Sequence, residues 1–232
     1  MNAANRNSRI SMEGNKQMDI AFDIETIRNS SRLDAMPEPE VKTGNLKDPA
    51  KIAEKVAEAR AEQVAKMALN PLYGRICAFV AVTEEQTRRC CINNDSDEEE
   101  TRIVEAVFHA ISGKRVITYN GNSFDLPFVY RRAVLLGVDP REFGAPTLAE
   151  MTARYGNKYH VDLMNVWCGF GSFEKLDAIA GAILGDHKIE IDFREFPELI
   201  RTEDGRKKLL DYCEQDVLLT LKLWNRFAGI LV

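Results

Sequence analysis

The chain has 232 residues, 45% hydrophobic and 29% charged, with a formal net charge of −5, figures that match a soluble globular domain with a substantial core. No apolar run approaches the roughly 20 residues that cross a bilayer, and the opening MNAANRNSRISMEGNKQ has no apolar stretch that could serve as a secretory signal. Nor does the charge advertise the basic face usual in nucleic-acid binders, so affinity for a polynucleotide would have to come from bound metal and local basic patches.

In chain order, residues 1–17 read as a flexible tail ahead of residues 18–232, which are expected to form one domain. MDIAFDIE at 18–25 alternates with a strand's period of two: Ile20, Phe22 and Ile24 point one way, and Ala21, Asp23 and Glu25 the other. A polar stretch leads into an Ala-, Glu- and Lys-rich run at about 47–69, a helical insertion with the look of a solvated helix, which Asn70-Pro71 ends. RICAFVAVT and TRRCCINN form a hairpin pattern, and Asp95, Ser96 and the acidic DEEE read as a capped, solvated helix start rather than a metal site.

RVITYN at 115–120 is a short strand, and FDLPFVYRRAVLLG opens a helix that stops at Gly137. YHVDLMNVW alternates like a strand, with His160 a surface or supporting residue rather than a ligand, and IEIDF at 189–193 repeats that texture. KLDAIAGAILG and a long segment from about Arg206 to the end complete the helices. A few strands followed by alternating strands and helices predict an α/β fold, a mixed central sheet flanked by helices. Candidate basic patches are Arg131, Arg132, Arg141, Arg154 and Lys158, and separately Arg201, Arg206, Lys207 and Lys208. Five cysteines, Cys90 and Cys91 adjacent and no Cys-x-x-Cys among them, suggest neither a disulfide framework nor a zinc site. Reduced cytosolic thiols and a cytoplasmic location are the expectation.

Three segments carry candidate chemistry. Asp23 and Glu25, one residue apart on a strand, share a face and can reach one cation. Leu209, Tyr212, Asp216, Leu219 and Leu223 share a helical stripe made mostly of leucine. An Asp on such a stripe is costly to ionise unless a cation or donor meets it. Asp125 stands where RVITYN passes through GNSF into a helix, and is read either as that helix's N-cap or as a carboxylate at a strand's C-terminal end, where open α/β sheets place their sites. Carboxylates gathered at one spot would repel one another unless cations neutralise them, and with no Cys/His cluster the fitting cations are Mg²⁺ or Mn²⁺.

FDIET, YNGNSFDLPF and YCEQDV, in that order, resemble the three exonuclease motifs of the DEDD superfamily of 3′→5′ exonucleases. Tyr212, four residues before Asp216, resembles the tyrosine subclass (DEDDy). The likeness is greatest to the proofreading exonuclease domain of family-B DNA polymerases. It includes KLDAIAGAILGDHK and spans roughly residues 18–228, while the charged helix at 47–69 departs from it.

The resemblance implies a ribonuclease H-like fold and a stand-alone hydrolase that releases nucleoside 5′-monophosphates from 3′ ends. It implies two Mg²⁺ or Mn²⁺ ions on Asp23, Glu25, Asp125 and Asp216, with Tyr212 orienting the attacking water, and contacts to the terminal nucleotides from Thr26, Asn120 and Phe124. The expected partner is nucleic acid, DNA ahead of RNA, and no membrane. The motifs do not separate deoxyribose from ribose, so an exoribonuclease stands as one alternative, and a catalytically silent nucleic-acid-binding module as another.

Overall fold

A computed structural model describes residues 18–44 and 47–232; the expected tail, 1–17, lies outside the described residues. The elements in chain order are β1 (Asp19–Arg28), α1 (Pro49–Ala65), β2 (Gly74–Val82), β3 (Thr87–Cys91), α2 (Asp97–Ile111), β4 (Arg115–Thr118), α3 (Asp125–Leu136), α4 (Leu148–Met151), β5 (His160–Asp162), α5 (Leu163–Cys168), α6 (Leu176–Leu184), α7 (Phe196–Leu199) and α8 (Glu203–Phe227). The strands form one sheet in the order β3-β2-β1-β4-β5. β1 runs antiparallel to β2 and parallel to β4, and β4 runs parallel to β5.

Helices cover both faces of this mixed sheet, as the alternation of elements requires. Ile20, Phe22 and Ile24 of β1 pack with α2 and α3, whereas Ala21 and Ile117 pack with α6 and α8. β2 is buried along its whole length, the pattern of a strand with helices on both sides. Asp19 ties the beginnings of β1 and β4 to the end of α8: its carboxylate accepts Arg115 Nε at 2.8 Å and Nη2 at 3.0 Å, and Trp224 Nε1 at 3.0 Å.

Several expectations need correction. YHVDLMNVW is a strand only over His160–Asp162, because Asp162 turns its carboxylate onto Met164 N, 3.0 Å away, and starts α5. IEIDF stays outside the sheet, with no regular structure over 186–192. α8 begins at Glu203 because the Thr202 hydroxyl caps Gly205 N at 3.0 Å. The acidic start of α2 is not all solvated. Glu100 is fully buried and bonded through both oxygens to Arg132, at 2.7 and 2.6 Å, so Arg132 belongs to the interior and not to a basic patch. Half of the other candidate patch residues are neutralised locally: Arg141 by Asp139, Arg201 by Glu198, Lys207 by Asp211 and Lys208 by Glu195. α1 buries none of its residues, in line with a solvated helix. No helix among the described residues is long and apolar enough to cross a membrane.

Candidate active site

Asp23 and Glu25 lie on one side of β1, and the register slips immediately after Glu25: Glu25 faces Ala78 while Thr26 faces Ile76. The extra residue on β2 is Cys77, a β-bulge of the kind that re-aims side chains beside functional sites. One oxygen each from Asp23 and Glu25 and the Cys213 sulfur lie within 4.8 Å of one another. Cys213 Sγ is 3.6 Å from Asp23 O and 3.8 Å from its Oδ2. Burial, then the charges of Asp23 and Glu25, pushes the Cys213 thiol well above its usual range. It therefore stays neutral, and neutral sulfur is a poor ligand for a hard cation. The sulfur is wall, and the carboxylates are the donors.

Asp125 is not the cap of α3. Phe124 occupies that position and makes no side-chain cap bond, while Asp125 Oδ1 turns toward β1 and accepts Ile24 N at 3.4 Å. The carboxyl thus sits over the residue between Asp23 and Glu25. Burial pushes it up to about 7, offset in part by hydrogen bonds from its own and the Ile24 backbone and by one with Asp23. Asp23 is raised well above the ordinary carboxylate range by burial, then by repulsion from Asp125, Glu25 and Asp216; burial and Asp216 raise Glu25 likewise.

Asp216, on α8, is 6% exposed. Its Oδ2 meets the Lys188 ammonium, and its Oδ1 is buried without a hydrogen-bond partner among the described residues. Burial raises its carboxyl, with Lys188 opposing. Burial works against the charge on Lys188, yet Asp216, Tyr212 and Asp23 hold that ammonium above its usual range. Tyr212, one turn before Asp216, packs its ring 5.9 Å from Phe196 and 5.4 Å from Lys188 Nζ. Burial, then Glu25, keeps its phenol protonated far above neutral pH.

The structure therefore brings Asp23, Glu25, Asp125 and Asp216 within electrostatic reach, though only Asp23 and Glu25 approach closely enough to share one ligand cluster with Cys213. An oxygen-rich, mutually repelling set with an orphaned buried acceptor suits a hard divalent cation. Thr26 is buried just past the bulge. Asn120 takes the left-handed conformation at φ 69°, and Phe124 packs its ring 5.5 Å from Phe128 at the core's edge. Gly121 follows because a Cβ there would lie 2.2 Å from Thr118 Oγ1, which is itself held by His160 Nε2 at 2.7 Å. His160 is buried between Thr118 and Met151, so it supports the loop and is not on the surface.

Sequence reasoning passed over Lys188 and the residue that holds it. Gln215, inside YCEQDV, accepts Ile189 N at 2.7 Å and donates to His187 O at 2.9 Å, clasping the irregular segment that delivers Lys188. The signal was its place between two site residues on α8. Asp162, read only as part of the alternating YHVDLMNVW, has a role that the alternation does not carry. Its carboxylate accepts Asn120 N and Asn122 N, each at 2.9 Å, and so shapes the loop leading to Asp125.

Residues 69–231 match the family model described as a predicted 3′-5′ exonuclease related to the exonuclease domain of PolB. The chain belongs to that family. The matched span starts after β1, so it contains Asp125, Tyr212 and Asp216 but not Asp23 or Glu25. DNA polymerase 1 of Saccharolobus solfataricus is 35% identical over 118 residues, 47% of this chain and 13% of the polymerase. DNA polymerase 1 of Aeropyrum pernix is 34% identical over 127 residues, 50% of this chain and 12% of that one. The chain thus spans only about an eighth of the relatives' length. The family-B DNA polymerase of Pyrobaculum calidifontis superposes with a TM-score of 0.61 at 18% identity, over 91% of this chain and 24% of that one. That likeness agrees with a ribonuclease H-like fold for the mixed sheet and its flanking helices.

Proposed function

We propose that this member of the PolB-like exonuclease family shortens DNA from its 3′ end, at a site built from Asp23, Glu25, Asp125, Asp216 and Tyr212, with residues 18–232 acting as one exonuclease domain. The observation that carries the reading is the Asp216 carboxylate: buried, with one oxygen on Lys188, the other without a partner among the described residues, and three further carboxyl groups repelling one another nearby. An arrangement so unfavourable in isolation is explained by a ligand that is itself cationic.

Asp23, Glu25, Asp125 and Asp216 would hold two divalent ions, Mg²⁺ or Mn²⁺, whose chemistry is to make water a nucleophile at neutral pH and to neutralise charge on the leaving 3′ oxygen. Tyr212 stays a phenol, so it orients the attacking water by hydrogen bonding rather than taking its proton. Lys188 neutralises part of the acidic charge and leaves Asp216 Oδ1 to coordinate. Thr26, Asn120 and Phe124 would hold the terminal nucleotides, with Phe124 offering its ring for stacking. Released products are nucleoside 5′-monophosphates.

The test is digestion of 5′-labelled single-stranded DNA and matched RNA with Mg²⁺, Mn²⁺ or chelator. Stepwise 3′ shortening that depends on a divalent ion, favours DNA and disappears in Asp216→Asn supports the reading. Shortening that persists in Asp216→Asn, or no digestion of any 3′-ended oligonucleotide, overturns it.

A further inference from the structure

Tyr155 and Phe170 are 90% and 48% exposed. They do not stand singly: their ring centroids are 6.4 Å apart, and the Arg154 guanidinium lies 4.9 Å over Phe170 and 5.5 Å over Tyr155. Among the described residues, Arg154 makes no ion pair that would use up its charge. The three residues line a cavity of about 330 Å³ whose other walls include Asn122 and Asp162. Asp162 receives the backbone N–H groups of Asn120 and Asn122, and among the described residues Asn122 Oδ1 is buried without a partner. The aromatic platform and the loop leading to Asp125 are thus walls of one depression. Asn122 is three residues from Asp125, a chain reach of at most about 11 Å, or roughly three stacked nucleotides at 3.4 Å each.

Exposed rings interleaved with a free guanidinium, in one depression with the loop that leads to Asp125, are the elements of a single-strand groove: rings take the bases by stacking whatever their sequence, and the cation takes the backbone. Resting on the function proposed above, we infer that Arg154, Tyr155 and Phe170 form a subsite for the nucleotides upstream of the 3′ terminus of single-stranded DNA. Continuity with the Asn120–Asn122 loop and the unspent positive charge favour a nucleic-acid strand over an apolar protein segment as the occupant. The subsite makes long single strands better substrates than di- and trinucleotides, whose length ends before the platform.

The experiment uses the full chain with fluorescein-labelled dT12 and dT3. Binding is read by anisotropy in Ca²⁺, and 3′ shortening is read separately in Mn²⁺. The unsubstituted protein should bind dT12 more tightly than dT3. Tyr155→Ala together with Phe170→Ala should shrink that advantage by roughly tenfold or more, the loss expected for one stacked base, while Tyr155→Phe, which keeps the ring, retains it. Arg154→Gln should lower the slope of log affinity against log salt by about 0.7, one single-strand phosphate contact. The subsite is overturned if the doubly substituted protein keeps the full length advantage, or if the unsubstituted protein shortens dT12 but binds it no more tightly than dT3. Ring-dependent binding of dT12 with no 3′ shortening would uphold the subsite and overturn the exonuclease chemistry proposed for Asp216. Failure of both binding and shortening overturns both.

Discussion

The ammonium of Lys188 sits on one oxygen of Asp216, and the other oxygen of that carboxylate is buried with no partner among the described residues. Half of the carboxylate is thus satisfied by a cation the chain supplies, and half is held open. Gln215 fixes the arrangement by bonding the backbone on both sides of Lys188.

Removing Lys188 leaves the acidic cluster without its nearby cation. In chelator, Lys188→Met should cost about 1–3 kcal/mol, below the 3–5 kcal/mol of a fully buried pair because the lysine is partly exposed. That amounts to about 2–4 °C of melting temperature per kcal/mol in a chain of this size. Gln215→Ala should cost about 1 kcal/mol through the freed segment. With saturating Mn²⁺ the Lys188→Met deficit should shrink, since added cations replace the lost charge. Thermal melts with and without metal decide it: an equal deficit in both would mean that Lys188 only packs.

Much of the candidate site's placement could be read from the chain. The alternation of MDIAFDIE placed Asp23 and Glu25 on one side of β1, and helical spacing placed Tyr212 and Asp216 on one stripe of α8. For Asp125 the sequence left capping and site roles open. The bond from Ile24 N resolves its direction, and no local pattern carries that information because the partners lie 101 residues apart. Lys188 was illegible for a related reason: it sits in a segment without regular structure, placed by Gln215 and not by any period of its own. Arg132 shows the reverse error, a charge assigned to the surface by type that is buried because Glu100 is there to meet it.

Asp23→Asn should move activity and stability in opposite directions. It removes a proposed metal ligand, so digestion should fall by more than about 100-fold, the upper end for losing a mere outer-shell partner. It also removes a charge that burial and three neighbouring carboxylates disfavour, so the melting temperature in chelator should rise. A parallel drop in both would instead make Asp23 a structural residue.

Tyr212→Phe keeps the ring and its packing on Phe196 while removing the hydroxyl. If the phenol orients water, kcat should fall about 10–100-fold, less than the 10²–10⁴-fold typical of a proton-transferring group, with KM little changed. Because the phenol stays protonated well above neutral pH, the unsubstituted enzyme's rate should show no step from Tyr212 between pH 7 and pH 9. A variant with undiminished kcat would remove Tyr212 from the reaction.

The raised carboxyl groups give the metal-free protein a defined pH response. Asp125, with an ordinary value near 4 when unfolded and about 7 when folded, binds more protons in the folded state across that window, and Asp23 and Glu25 add to it. Its contribution to stability is therefore lost as pH rises from about 4 to about 7. His160 runs the other way, since burial lowers it to about 4 and folding then opposes its protonation at acid pH. His160 contributes equally with and without metal, so the difference between the two melting curves isolates the carboxylates. Stabilisation by saturating Mn²⁺ should be larger at pH 8 than at pH 5.5, and a difference independent of pH would refute the linkage.

The Glu100 network should govern stability without governing chemistry. Glu100 and Arg132 are buried and doubly bonded, Arg75 Nη1 lies 3.5 Å from the same carboxylate, and Ile76 N donates to it at 2.9 Å. The carboxylate joins α2 to α3 and to the β2 backbone, with no bond to Asp23, Glu25, Asp125 or Asp216. Glu100→Gln leaves Arg132 buried without its counter-charge, at a cost of about 3–5 kcal/mol. Asp97→Asn, on the same Arg75 but 60% exposed, should cost under about 1 kcal/mol. Denaturant unfolding measures both, and digestion normalised to folded protein should be the same for Glu100→Gln as for the unsubstituted chain. A specific activity that fell along with stability would tie this network to the site across the sheet.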